Sequence, residues 1–278
     1  MTNQNVRSDY WAPDDIASWD YAQIWDKFPV PARPAKEELA FLAKDIAQVG
    51  HMDTLILGST IEYRSLCKRL GAAPYVADFQ RSHYEILTSY AKETFGGEHF
   101  LEVDWLDLGD GEEYDIILGH RAINVIGREV LKQFFQRMYQ ALKPGGTFYC
   151  KCNILYSGEK DRLNEMVDQW AFKKHRDYPL FSYLEVQLYF HTADADGYVI
   201  YPKARQVVDQ LWADKRCARE DYELIKLLVS MSEEARFRGL IHEREVRDII
   251  QTVGFSEAEW IVLDKDICQN MPIIKLKK

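Results

Sequence analysis

Three residues close three apolar, strand-like runs and carry the first chemical information in the chain. Gly58 ends TLIL within LGSTIE, Asp78 ends PYVAD, and Asp104 ends FLEVD. Parallel strands of one sheet would set them side by side at the carboxyl edge, where open sheets bind ligands. Gly58 lets the backbone come close to a ligand. Ser59 and Thr60 then place N–H and hydroxyl groups at a helix N-terminus, a good seat for a carboxylate. Asp78 follows about 20 residues on, where an acid accepts hydrogen bonds from ribose hydroxyls. Phe79 adjoins it, and Asp104–Trp105 pairs a carboxylate with a ring, which suits the amine and face of adenine. Each acid alone reads equally well as a helix cap. The shared register of the three strand ends points to a nucleoside site.

A fourth run, YDIIL, leads into LGHRAIN with His120, Arg121 and Asn124. An imidazole there can take a proton near neutral pH, or only line the cleft and position a ligand. The turn after the first strand has a single glycine, so it lacks the G-x-G-x-x-G that seats a pyrophosphate, which disfavours NAD and FAD. It also lacks the G-x-x-x-x-G-K-[ST] of a phosphate loop. Cys150 and Cys152 would share one face of a strand, yet no second pair or nearby histidine completes a metal site, so both read as structural and the metal expectation is none.

The elements that position these residues alternate. Strand-like runs at 54–57, 74–78, 100–104, 114–118 and 147–154 are separated by helical patterns at 61–70, 82–94 and 128–142. This alternation predicts a parallel sheet with right-handed crossovers. Residues 1–50 form an aromatic, proline-broken lid followed by a helix. Residues 51–156 form the core that carries the cleft. Residues 157–238 interrupt the rhythm as an inserted cap, with two or three helices and an aromatic, strand-like stretch, YLEVQLYFHTADADGYVIY. Residues 239–278 add a helix stopped by Gly254, a strand at 259–265 and the final strand in MPIIKLKK.

The composition is ordinary globular: 278 residues, 47% hydrophobic and 28% charged, which excludes a disordered or low-complexity chain. The net charge of -9 argues against a nucleic-acid partner, since phosphate backbones call for a basic face. No apolar run reaches a membrane span. The start, MTNQNVRSDYW, has no apolar core of a signal peptide, and an odd, scattered set of 5 cysteines fits reduced thiols, so the expected location is the cytoplasm.

Strand–LGSTIE–helix, VAD, VDW, YDIIL and ALKPGGTFY together resemble the class I S-adenosylmethionine-dependent methyltransferases, with the first motif closest to the LGxTPE branch. The similarity covers residues 52–154, and 240–278 match the usual terminal helix and strand hairpin. It implies an α/β, Rossmann-like sheet of seven strands, mostly parallel with the last antiparallel, an N-terminal helical lid and an inserted cap. It implies S-adenosylmethionine held by Tyr21, Gly58, Ser59, Thr60, Asp78, Phe79, Asp104, Trp105 and His120. The implied activity is methyl transfer to a small molecule, with His120 or Tyr178 of the cap as catalytic candidates. Two alternatives use the same cofactor: a cyclase that turns the methionine chain on itself, giving azetidine-2-carboxylate and methylthioadenosine, and a non-catalytic cofactor-binding module. The oligomeric state is left open.

Overall fold

A computed structural model describes residues 25, 27–47, 52–109, 111, 113–158, 160–172, 178–230, 237–263 and 270–278. The first helix named here is α1 (Lys36–Ile46). Then come β1 (Thr54–Leu57), α2 (Ile61–Arg69), β2 (Tyr75–Asp78), α3 (Arg81–Tyr90), β3 (His99–Glu102), β4 (Tyr114–His120), α4 (Leu131–Ala141) and β5 (Leu142–Lys151). The seven-stranded sheet is completed near the C-terminus by β8 (Glu257–Ile261) and β9 (Ile273–Lys277), in the order β3-β2-β1-β4-β5-β9-β8. β1 to β5 are parallel, and β9 lies antiparallel between β5 and β8.

The central strands read as continuous apolar runs because helices cover both faces. Leu55, Ile56 and Leu57 of β1 are at most 1% exposed, and each such burial contributes about 1.5–3 kcal/mol. On one face, Phe134, Phe135 and Met138 of α4 pack with Val246 and Ile250 of α9 (Glu243–Val253). On the other, Leu42 and Ile46 of α1 pack with Tyr63 and Leu66 of α2. Gly254 ends α9 with φ of 102°, the left-handed C-terminal stop its position predicts.

Between β6 (Ile154–Leu155) and β7 (Ile241–His242), which pair with each other, lie α5 (Leu163–Phe172), α6 (Leu180–Thr192), α7 (Tyr201–Ala213) and α8 (Arg219–Leu228). They bury a cluster of their own around Leu180, Phe181, Leu184, Val208 and Ile225. Here the structure corrects the strand-like reading of YLEVQLYFHT, which is the helix α6. Every side chain from Leu180 to Tyr189 is buried. A helix apolar on all sides loses the 3.6-residue stripe, so its pattern cannot be told from a buried strand. Smaller shifts follow the same logic. β5 begins at Leu142 and ends at Lys151, with residues 154–155 forming a separate strand, and α3 ends at Tyr90.

α6 carries four buried polar residues, and their partners show what the helix holds. The Ser182 hydroxyl donates to the Val30 carbonyl. Glu185 accepts from Arg121 and from the Tyr189 hydroxyl. The Gln187 side-chain oxygen accepts from the Arg162 backbone N–H, and the Thr192 hydroxyl donates to the Leu188 carbonyl. The first two tie the helix to the N-terminal segment and to the loop after β4. Among the described residues, no helix is long and apolar enough to cross a membrane.

Candidate active site

The strand order reverses between β1 and β4, and a cleft opens beyond the carboxyl ends of β2, β1 and β4. Ligands of open α/β sheets sit at such a switch point. Gly58, Ser59, Thr60, Asp78, Phe79, Trp105 and His120 all line the cleft. Sequence spacing sets them on four strand ends, and parallel pairing brings those ends together.

Gly58 adopts φ of 80°, a left-handed conformation that only glycine takes without strain, and its N–H donates to the Ala77 carbonyl at 2.8 Å. An added Cβ would lie 3.6 Å from the Trp105 ring, an ordinary contact, so backbone conformation rather than lack of room calls for glycine here. Trp105 is fixed beneath this turn by its indole N–H, which donates to the Ala77 carbonyl at 2.8 Å. Thr60 caps the start of α2, with its residue buried at the cleft.

Asp78 is 3% exposed and its carboxylate is already oriented. One oxygen accepts the Ser59 hydroxyl at 2.8 Å, and the other accepts the Gln80 N–H at 3.3 Å. His83, one turn into α3, lies 3.6 Å from the same carboxylate. The Asp104 side chain accepts the Leu106 N–H at 2.9 Å through one oxygen, capping the short turn at 105–107, and Asp104 is not among the residues lining the cleft. Tyr178 packs against the apolar cluster of α5 to α8 and also lies outside the lining. Tyr21 lies outside the described residues.

His120 ends β4 with its side chain 5% exposed. Its Nε2 is 3.2 Å from the Pro31 carbonyl, and its Nδ1 is 3.4 Å from the Glu38 carboxylate. Both neighbours accept. Both ring nitrogens therefore already have protein partners. Glu38 itself is 1% exposed and also accepts the Tyr63 hydroxyl. Burial alone would raise its carboxyl, but His120, Lys151 and Tyr63 outweigh it and hold the group below its ordinary value. Burial, with the Glu38 charge added, pushes the Tyr63 phenol well up.

The N-terminal segment forms the near wall. Trp25 and Ala32 line the cleft, and Arg33 pairs with Glu62 of α2 at 2.6 Å while its guanidinium lies 5.5 Å from the Trp25 ring centroid. Val125, Phe237 and Arg121 form the far wall. Asn124 is wholly buried and acts as a tie: its side chain bonds the Asn153 N–H and the Arg238 carbonyl, which seats Phe237 beside Val125. Sequence reading missed His83, Leu87, Phe237 and Glu38. His83 was the most accessible of these, being one helical turn beyond the acid at a strand end. Phe237 had no local signal, since it arrives from more than a hundred residues away. Burial pushes the Cys150 thiol up to about 12, in keeping with a structural role. No three His, Cys, Asp or Glu side chains among the described residues come together to hold a metal ion.

No sequence family matches the chain, and no characterised protein matches it by sequence. Solved structures do. A Rhodobacter sphaeroides protein described as a zinc-dependent alcohol dehydrogenase is 15% identical, with TM-score 0.54 over 94% of this chain and 99% of its own. The 1,6-didemethyltoxoflavin N1-methyltransferase of Burkholderia thailandensis, solved with its substrate and S-adenosylhomocysteine, is 11% identical, with TM-score 0.51 over 100% and 92%. PigF, solved with S-adenosylhomocysteine, is 17% identical, with TM-score 0.50 over 96% and 59%. The protein has the Rossmann-like methyltransferase fold. At these identities the likeness carries the fold and no further.

Proposed function

We propose that the cleft binds S-adenosylmethionine and that the protein transfers its methyl group to a small molecule. The observation that carries this is the combination at the switch point: a single-glycine turn at Gly58, an oriented acid at Asp78, and a sheet extended by an antiparallel hairpin. The first turn of a dinucleotide fold carries three glycines, where this one has a single glycine. Two of the structural neighbours quoted above are methyl-transfer or S-adenosylhomocysteine complexes, which supports the same reading.

In this reading Asp78 takes the ribose hydroxyls, the Gly58–Thr60 turn faces the amino-acid end, and Phe79, Leu87 and Trp105 wall the base. The cofactor supplies an electrophilic methyl on a sulfonium. The protein aligns nucleophile, carbon and sulfur, and orientation alone can carry much of the rate. Ring faces such as Trp25 and Phe237 favour the sulfonium cation. Incubation with S-adenosylmethionine and candidate acceptors, followed by mass spectrometry, tests the reaction. S-adenosylhomocysteine formed only with an acceptor is the expected result. Methylthioadenosine formed without an acceptor would overturn methyl transfer in favour of cyclisation, and tight binding without any turnover would overturn catalysis.

His120 is a positioning residue in this scheme, holding the Pro31 carbonyl and Glu38 rather than taking a proton. His120→Asn should therefore raise KM for the cofactor and lower kcat less than the ~100-fold of general-base loss, with no pH limb removed. A loss of that size together with a vanished limb would assign it the base.

The N-terminal segment acts as the lid. Deleting residues 1–26 removes Trp25 from the wall but leaves Phe28, which packs on Phe181 in the cap cluster with ring centroids 5.8 Å apart. The truncated protein should lose affinity for S-adenosylhomocysteine by roughly tenfold or more, the loss of one aromatic wall of the cleft, while its melting temperature stays close to wild type. Equal affinity would make the segment an interaction surface.

A further inference from the structure

We propose that Arg121 recognises a carboxylate on the methyl acceptor, so that the acceptor is a small apolar or aromatic acid. The inference rests on the reading that the cofactor occupies the Asp78 side of the cleft. β2 and β4 flank β1, so Asp78 and Arg121 are set two strand spacings apart, roughly 10 Å. The side left for the acceptor is walled by Val125, Phe237 and Ala32, with Arg121 as its strongest hydrogen-bond donor.

The state of that guanidinium is what points to an acid. Arg121 sits in a left-handed conformation, φ of 57°, with its N–H on the Lys151 carbonyl at 2.6 Å, and its side chain is 12% exposed. Its Nη1 donates to Glu185 at 2.5 Å. On the opposite fork, formed by Nε and Nη2, Nη2 meets the Met271 sulfur at 3.8 Å and Nε is buried with no hydrogen-bond partner, while the Tyr189 hydroxyl also lies against the guanidinium. Buried N–H groups are ordinarily bonded, and an unfilled one next to a cleft marks where a ligand atom belongs. The two parallel N–H groups of a guanidinium fork match the two oxygens of a carboxylate. Glu185 holds Arg121 through a single oxygen, which also accepts the Tyr189 hydroxyl, and its other oxygen makes no hydrogen bond. The ion pair therefore fixes the guanidinium through Nη1 and leaves the fork for the ligand.

The test is calorimetry on the full chain saturated with S-adenosylhomocysteine, using benzoate, salicylate, anthranilate and 4-hydroxybenzoate against the matching carboxamides. At least one acid should bind, with its amide weaker by roughly tenfold or more, the margin expected when a bidentate charged pair is lost. Arg121→Lys keeps a cation for Glu185 but removes the fork. It should weaken the acid to the level of its amide and leave S-adenosylhomocysteine binding within about twofold. Equal binding of acid and amide, or no acid binding at all, overturns the proposal. So does an Arg121→Lys protein that loses S-adenosylhomocysteine but keeps methylthioadenosine, because the fork would then grip the amino-acid end of the cofactor. Wild-type protein that fails to bind S-adenosylhomocysteine at all overturns the underlying cofactor reading instead, and that result is visible before any acid is added. A melting curve for each variant confirms folding, and Glu185→Gln, which keeps the shape of the pair, should retain the preference for the acid.

Discussion

Asp78→Ala should weaken S-adenosylhomocysteine binding by about 1.5–3 kcal/mol, roughly 10- to 150-fold in Kd, the range for hydrogen bonds to a charged group. The carboxylate is buried at the end of β2 and held in place by the Ser59 hydroxyl and the Gln80 N–H. It needs no rearrangement to meet a ribose, so little of the bond energy is spent on ordering. Asp78→Asn keeps the shape and one acceptor oxygen but replaces the other with a donor that opposes a hydroxyl. It should fall between alanine and wild type. Calorimetry with unchanged Kd for both variants would remove Asp78 from the ribose site.

The largest stability effect is expected at Glu38. It is the buried anion among His120, Lys151 and the Tyr63 hydroxyl, and Lys151 is itself only 2% exposed. Glu38→Ala leaves the buried Lys151 without its counter-charge, which costs about 3–5 kcal/mol. For a chain of this size that corresponds to a fall in Tm of roughly 6–20 °C. The pH dependence has a definite sign. The folded carboxyl is held below its ordinary value of 4.5, so its stabilisation is complete above that value and fades as pH falls through the folded one. The gap in Tm between wild type and Glu38→Ala should be full at pH 7 and shrink in the acid range. Equal melting temperatures at pH 7 would mean that the network contributes nothing to the fold.

The sheet was legible because its central strands are short and apolar and are separated by helical patterns. Gly58, Asp78 and His120 were legible for the same reason, since each marks the end of a run. Parallel pairing of β2 with β1 and β1 with β4 then does the rest. Asp104 shows the limit of this logic. A strand-end acid is chemically the same whether it caps a turn, faces a ligand or does both, and sequence alone does not place the Leu106 N–H that it accepts here. α6 was misread because complete burial erases periodicity. Glu38 and Phe237 were out of reach for a different reason. Their roles depend on contacts between distant segments, Glu38 with His120 and Phe237 with Val125 through the Asn124 tie, and no local pattern announces such a contact. Arg121 stood in the LGHRAIN loop, but its half-filled fork is visible only once Glu185 is placed.

The central claim is the identity of the cofactor. Isothermal titration of the full chain with S-adenosylhomocysteine, and separately with NADH, tests it most directly. One equivalent of S-adenosylhomocysteine should bind in the ~1 μM–1 mM range common for enzyme ligands, and NADH should give no saturable heat. Saturable NADH binding with none for S-adenosylhomocysteine would contradict the account.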